Sequence, residues 1–240
     1  MRITNQNNYY RQYNPAFNSY RHIITNKAGD VLNRGDTCFF RWDLDFNNII
    51  KFIENKYSYC DKVNIIAHAC SDGEEVFSFT SKLLDTFGEE KAKKYLPIQA
   101  KDIEDEHLNL AKKGKYIIKS FEKDAFNFYL GRNFYNYFEY LSSDTIKRLQ
   151  NLKDNVIFSK QNILEDVKTI DFQNTVLFAR NFWHYLDEED MDKLAMNLSH
   201  RMNKSSTLVI GNFDVEYGVN DILYHYGFDE KLENVYEKYK

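Results

Sequence analysis

The sequence predicts an α/β protein, with a mostly parallel sheet covered by helices on both faces and a small inserted subdomain. Three observations predict this. Short β-rich runs alternate with amphipathic helical stretches through most of the 240 residues. Polar clusters follow the ends of those runs, where ligands bind in sheets of this kind. Residues 115–150 then interrupt the alternation with dense aromatics, FNFYLGRNFYNYFEY among them.

The elements follow in order. Residues 1–30 are polar and rich in Asn and Tyr, and are expected to be a short helical lead-in or a partly ordered arm. Thr37-Cys38-Phe39-Phe40-Arg41 is a compact cluster, and Phe46, Ile49, Ile50 and Ile53 after it have helical spacing. Residues 62–67 (KVNIIA) read as a strand entering a turn at residues 70–75. The helix that follows puts Val76, Phe79, Leu83 and Leu84 on one face. Residues 97–100 (PIQA) read as a second strand ending at Asp102. Leu108 and Ala111 open another helical face, closed by Gly114. Strand patterning returns at residues 156–158, leading to Asn162, and again at residues 174–179, leading to Arg180-Asn181. Residues 188–202 are helical, with an acidic first turn that suits the helix dipole. Residues 207–210 (TLVI) form a further strand before Gly211.

Composition excludes several functions. The formal net charge is -4, so no basic excess favours nucleic acid. The three cysteines form no CxxC pair, which argues against a disulfide framework and for a reducing compartment. No metal site is expected: His68, Cys70 and Cys60 lack the spacing of a closed zinc site, and a buried, satisfied His68 is the better reading. The N-terminus lacks the apolar core of a signal peptide, and no run approaches the roughly 18 apolar residues of a membrane helix. The expected location is the cytoplasm.

Five clusters could carry chemistry, each with a structural alternative. In Cys70-Ser71-Asp72-Gly73-Glu74-Glu75, Gly73 allows close approach of a ligand to backbone at a helix start. The glutamates argue against a pyrophosphate and suit a cationic sulfonium or amine; the alternative is a helix start with acids favouring its dipole. Asp102 stands where an acid accepts from a ribose diol, or it N-caps the next helix, with Glu104 or Asp105 then sharing the work. Asn162 and Ile163 could read an adenine edge and cover its face, or form a turn. Arg180, Asn181 and Tyr185 offer a cation, an amide and a phenol; alternatively Phe182 and Trp183 are core and Arg180 is a structural ion pair. Residues 37–41 could belong to the site, or be a helix docking on the core with Arg41 solvated. No glycine fingerprint for a dinucleotide, Walker motif or nucleophile elbow is present, so a nicotinamide oxidoreductase is a distant alternative.

Taken in order, these clusters resemble the CheR-type chemotaxis receptor methyltransferases. Their pattern runs T-x-F-F-R, A-x-C-S-x-G-E-E, D-I-D or D-I-E, L-x-x-A-x-x-G-x-Y, N-L or N-I, and R-N-x-x-x-Y. Here these are residues 37–41, 69–75, Asp102-Ile103-Glu104, 108–116, Asn162-Ile163, and Arg180-Asn181 with Tyr185. The spacer before Cys70 is missing, although Ala67 stands at the expected distance. The resemblance implies a Rossmann-like class I methyltransferase fold with a seven-stranded sheet. Residues 1–58 would be an N-terminal helical segment contributing to the cofactor site. Residues 59–240 would bind S-adenosylmethionine, with the inserted subdomain at about 115–155. It implies that Thr37, Arg41, Gly73, Glu75, Asp102, Asn162, Ile163, Arg180 and Asn181 surround S-adenosylmethionine, whose product is S-adenosylhomocysteine. Asp102 would take the ribose hydroxyls, and Arg41 and Tyr185 would flank the reacting methyl. Family members make γ-glutamyl methyl esters on receptor proteins, so a protein with an exposed glutamate is the implied partner. The alternatives are a methyltransferase for another protein or small-molecule acceptor, and an inactive S-adenosylmethionine-binding module. Three departures stand out: Asp72 replaces a small or hydroxyl residue, Val76 replaces a common proline, and only 36 residues precede Thr37, so a receptor-docking helical domain is expected to be short or missing.

Overall fold

The computed structural model describes residues 24–25, 31–33 and 37–239. Within residues 1–36, β1 (Ile24–Thr25) and β2 (Val31–Asn33) pair antiparallel. The expectation for residues 1–30 otherwise lies outside the described residues. Residues 37–240 form a second compact unit.

Helix α1 (Phe46–Lys56) starts where Asp45 accepts from the backbone N–H groups of Asn47 and Asn48, and buries Phe46, Ile49, Ile50 and Ile53 as their spacing requires. The alternating elements follow: β3 (Asn64–His68), α2 (Glu74–Ala92), β4 (Ile98–Asp102) and α3 (Asp105–Lys113). Gly114 ends α3 in the left-handed conformation, as read from the sequence. Helix α2 contains a non-helical Gly88 that its pattern did not signal.

Residues 115–150, where the alternation breaks off, hold a small sheet of their own. Strands β5 (Lys115–Ile117), β6 (Phe138–Tyr140) and β7 (Thr145–Arg148) form a separate antiparallel sheet, order β5-β7-β6, spanned by α4 (Ser120–Tyr129). The aromatics that concealed this pattern are its core. Phe126 contacts Phe134 and Phe138 edge-on at 5.1 Å, and Phe39 meets Tyr116, Phe126 and Phe138 at 4.9–5.4 Å. The chain continues through α5 (Gln150–Asp154), β8 (Val156–Lys160), α6 (Ile163–Asp166), β9 (Thr175–Ala179), α7 (Glu188–Arg201), β10 (Thr207–Val209), α8 (Asn212–Glu216), α9 (Val219–His225), β11 (Phe228–Leu232) and β12 (Val235–Lys238).

The main sheet has seven strands in the order β11-β12-β10-β9-β3-β4-β8. Pairing is parallel from β10 through β8 and antiparallel at β12 and β11. Helices cover both faces. One core joins α1, α2 and the aromatic insertion to residues such as Ile65, Ala100 and Phe178; the other joins α6, α7 and α9 to Ile66, Leu177 and Leu208. The two cores explain why β9 is buried along its whole length. This is the mostly parallel, two-sided α/β arrangement that the alternation predicted, with the seven strands that the resemblance implied. Strand β3 lies between β4 and β9, so successive connections leave it in opposite directions. The carboxyl ends of β3 and β9 therefore flank the switch point, where ligands bind in such sheets.

Candidate functional site

The loop after β3 packs several left-handed residues into a few positions: Ala69 (φ 53), Ser71 (φ 49) and Gly73 (φ 87). Non-glycine residues in that region cost about 1–3 kcal/mol each and concentrate at functional sites. The loop is tied to its neighbour strand. Ser71 N–H donates to Asp102 Oδ2 at 2.7 Å, and Glu104 N–H donates to Oδ1 at 3.0 Å. Asp102 is therefore not the helix N-cap; that position is Glu104, which makes no side-chain cap. The Asp102 carboxylate is buried at the end of β4, aligned by two backbone donors.

Across the switch point lies a charged cluster. Asp43 Oδ1 sits 3.2 Å from Arg41 Nε and 2.9 Å from Arg180 Nη2, and Oδ2 accepts from Asn181 Nδ2 at 3.0 Å. Arg180 Nε lies 3.6 Å from Glu75 Oε1. The segment carrying Arg41 is held by its backbone: Phe39 N–H donates to Glu122 Oε1 and Phe40 N–H to Ser78 Oγ, both at 2.8 Å. It is a turn, not a helix, and Arg41 is largely buried rather than solvated. Thr37 begins this segment and is half-buried.

Asn181 itself has φ 56. Asp214, fully buried at the start of α8, holds it there by accepting from the N–H groups of Asn181 (2.6 Å), Gly211 (2.8 Å) and Trp183 (3.1 Å). Gly211 is required by contact, since a Cβ there would stand 1.9 Å from Asn181 Oδ1. Phe182 and Trp183 are core, as their alternative reading had it, while Arg180 and Asn181 belong to the charged cluster. Tyr185 is 38% exposed, its ring 3.9 Å from that of His184. His184 lies 6.3 Å from the Phe213 ring, over which the Arg41 guanidinium sits at 6.0 Å, so Tyr185 and Arg41 border one aromatic rim.

Asn162 caps α6, its side chain accepting from Leu164 N–H at 3.0 Å, and Ile163 is buried. Beneath them a buried ionic cluster joins α6 to the sheet. Asp166 Oδ2 contacts His68 Nε2 at 2.7 Å and Lys101 Nζ at 2.6 Å, and His68 and Lys101 are register partners at the carboxyl edge. His68 is thus the satisfied buried histidine that the sequence suggested.

Burial and charge set the ionisation. Burial opposes ionisation of Asp43, but Arg180 and Arg41 outweigh it and hold the carboxyl well below its usual range. Burial disfavours the Arg41 cation too, and Asp43 and Glu75 more than restore it. Glu75 is raised by burial despite Arg180 and Arg41. Glu74 is raised further, by burial and then by Asp72. Burial pushes the Cys38 thiol up to about 12, which leaves it no nucleophilic role.

These groups fit S-adenosylmethionine. The carboxylates of Asp43, Glu75, Asp102 and Asp214 outnumber the two arginines, which suits a ligand carrying a sulfonium and an ammonium. Glu74 Oε2 is a buried polar atom without a hydrogen-bond partner among the described residues, a group that a polar ligand would satisfy. Asp43, Asp214 and Gly211, which hold this cluster together, were not among the candidates read from the sequence. Asp43 lies 138 residues from Asn181, and only its place two residues after Arg41 hinted at it.

Over 203 residues the chain is 27% identical to the "Chemotaxis protein methyltransferase" of Borreliella burgdorferi, covering 81% of this chain and 69% of that protein. It is similar to the solved S-adenosylmethionine-dependent methyltransferase from Clostridium acetobutylicum (16% identity, TM-score 0.35, 70% of this chain and 50% of that one). It is also similar to the glycopeptide N-methyltransferase MtfA complexed with sinefungin (11% identity, TM-score 0.39, 72% and 53%). The chain spans about half the length of those two structures. Residues 35–230 match the family described as "CheR methyltransferase, SAM binding domain". The fold is accordingly the Rossmann-like class I methyltransferase fold, and the chain belongs to the CheR methyltransferase family, with S-adenosylmethionine as its cofactor.

Proposed function

We propose that the chain is an active methyltransferase that converts a protein glutamate to its γ-methyl ester. The observation that carries this reading is the Asp43 hub, which ties Arg41 to Arg180 and Asn181 beside Glu75. The name of the Borreliella burgdorferi relative also favours a protein acceptor in chemotaxis. Its free cysteines suit action in the cytoplasm. No described helix is long and apolar enough to cross a membrane.

In this reading Glu75 and Asn181 hold the amino-acid end of S-adenosylmethionine, with Gly73 giving backbone access. Asp102 takes the ribose hydroxyls, and Asn162 and Ile163 take the adenine. Thr37 and Arg41 close the site, with Arg180 fixing Glu75 and Asp43 in place. When bound, the cofactor supplies an electrophilic methyl on a sulfonium and leaves as S-adenosylhomocysteine. A glutamate acceptor is already ionised at neutral pH, so no strong general base is needed. Arg41 pairs with the incoming carboxylate and aims one oxygen at the methyl carbon; alignment and electrostatics supply the rate. Tyr185, at the exposed rim, orients the acceptor.

The test uses purified protein, methyl-labelled S-adenosylmethionine and candidate chemotaxis receptor proteins. Label that is incorporated and then released as methanol in mild alkali supports the ester. Alkali-stable label identifies a different acceptor atom. Absence of any transfer by a cofactor-binding protein identifies an interaction module.

A further inference from the structure

The pair Asp72–His107 is used neither by the family pattern nor by the chemistry above. His107 is buried on the first turn of α3. Its Nδ1 contacts Asp72 Oδ1 and lies 3.4 Å from Ser71 Oγ. Both partners sit in the left-handed loop after β3, and Ser71 N–H donates to Asp102 at 2.7 Å. Tyr116, on β5, donates its hydroxyl to the Asp72 carbonyl at 2.9 Å. One imidazole therefore joins α3 to the loop that aligns Asp102.

We propose that His107 is a positioning residue for the cofactor: through Asp72 and Ser71 it holds the loop in the conformation that presents Asp102 to the ribose. This rests on the reading that Asp102 takes the ribose. The charged groups facing His107 are Asp72 from the loop, Asp102 from β4 and Glu104 from the start of α3, all carboxylates. Burial alone would disfavour the imidazolium; Asp72, then Asp102 and Glu104, outweigh it and raise the pKa above its ordinary value. A raised value means that the clamp is charge-assisted at lower pH and loses that assistance as pH rises through it, while a neutral ring with its proton on Nδ1 keeps the bond to Asp72; Nε2 is buried with no hydrogen-bond partner among the described residues. Cofactor affinity then falls over the same interval.

The test is calorimetric titration of S-adenosylhomocysteine and of S-adenosylmethionine into the intact wild type, His107→Gln, Asp72→Asn and the double variant, from about pH 6 to about pH 8.5, which brackets the imidazole range. The wild type is expected to weaken about fivefold across the range, the difference between a charge-assisted and a neutral hydrogen bond. Each variant is expected to bind about tenfold more weakly at the low end and to lose that pH dependence. The double variant is expected to be no weaker than either single one, as for two ends of one interaction. The ligand's own amine titrates alike against every variant, so the difference between profiles belongs to His107. Should His107→Gln fail to fold, Asp72→Asn, on the half-buried loop, carries the test. Wild-type and variant profiles that coincide would overturn the clamp while leaving the site intact. A pH response to S-adenosylmethionine but not to S-adenosylhomocysteine would also overturn it, by showing charge repulsion instead of positioning. A wild type that binds neither ligand at any pH would overturn the cofactor-site reading itself, and the clamp with it.

Discussion

Replacing Asp43 should damage both stability and catalysis. Its carboxylate is fully buried and contacts three donors, two of them arginine cations. Asp43→Ala leaves those cations facing each other with Glu75 as the remaining carboxylate of the cluster, 3.6 Å from Arg180. Breaking a buried pair on one side costs about 3–5 kcal/mol. At roughly 2–4 °C per kcal/mol for a domain of this size, Tm should fall by roughly 6–20 °C. Asp43→Asn keeps the shape and removes the charge, so its loss should be smaller. The pH dependence has a defined sign. The folded carboxyl is held below its usual range, so its stabilisation is complete above the ordinary carboxylate value near 3.9 and is lost as pH falls through the folded value. Asp43→Asn should therefore flatten the acid limb of the stability curve. Thermal unfolding by circular dichroism across pH, with turnover and S-adenosylhomocysteine affinity on the same samples, measures all of this. Asp43→Ala that melts within about 2 °C of the wild type and turns over normally would refute the hub.

Two further outcomes follow from the same geometry. Arg41→Ala should lower turnover far more than cofactor affinity, because its proposed partner is the acceptor; equal losses in steady-state kinetics and calorimetry would contradict that role. Gly211→Ala must push Asn181 out of its bond to Asp43, since the backbone at 211 (φ -102) is ordinary and the obstacle is the amide oxygen 1.9 Å away. Its cost should be about 1–3 kcal/mol, the range for overpacking, together with weaker S-adenosylhomocysteine binding, and an unchanged melt would show that the amide moves freely.

The parallel core of the fold was legible because its strands are short apolar runs bounded by polar turns. Residues 97–100 ending at Asp102, and residues 174–179 ending at Arg180, are such runs, and the helix closed by Gly114 carried its own stop signal. Strands β11 (FDEKL) and β12 (VYEK) were not singled out, because an edge hairpin half-exposed to solvent shows neither an apolar run nor clean alternation. The inserted sheet was hidden for the opposite reason. With aromatics on nearly every position, no period separates its strands of three and four residues from its helix. In the site, residues that follow strand ends could be read from order alone. Asp43, Asp214 and Gly211 could not, because each meets Arg180 or Asn181 across 30 to 138 residues and only folding brings them together. Asp72 was visible only as a departure from the family pattern, and its partner His107 explains it.

The central claim is that the carboxyl edge of β3, β4 and β9 holds S-adenosylmethionine with Asp102 on the ribose. Titrating S-adenosylmethionine and S-adenosylhomocysteine into the wild type and into Asp102→Ala tests it most directly. The claim predicts micromolar binding to the wild type and a loss of about tenfold or more in the variant, the worth of a hydrogen bond to a charged group. Equal affinity in the two proteins would remove Asp102 from the site, and a folded wild type that binds neither ligand would contradict the site as a whole.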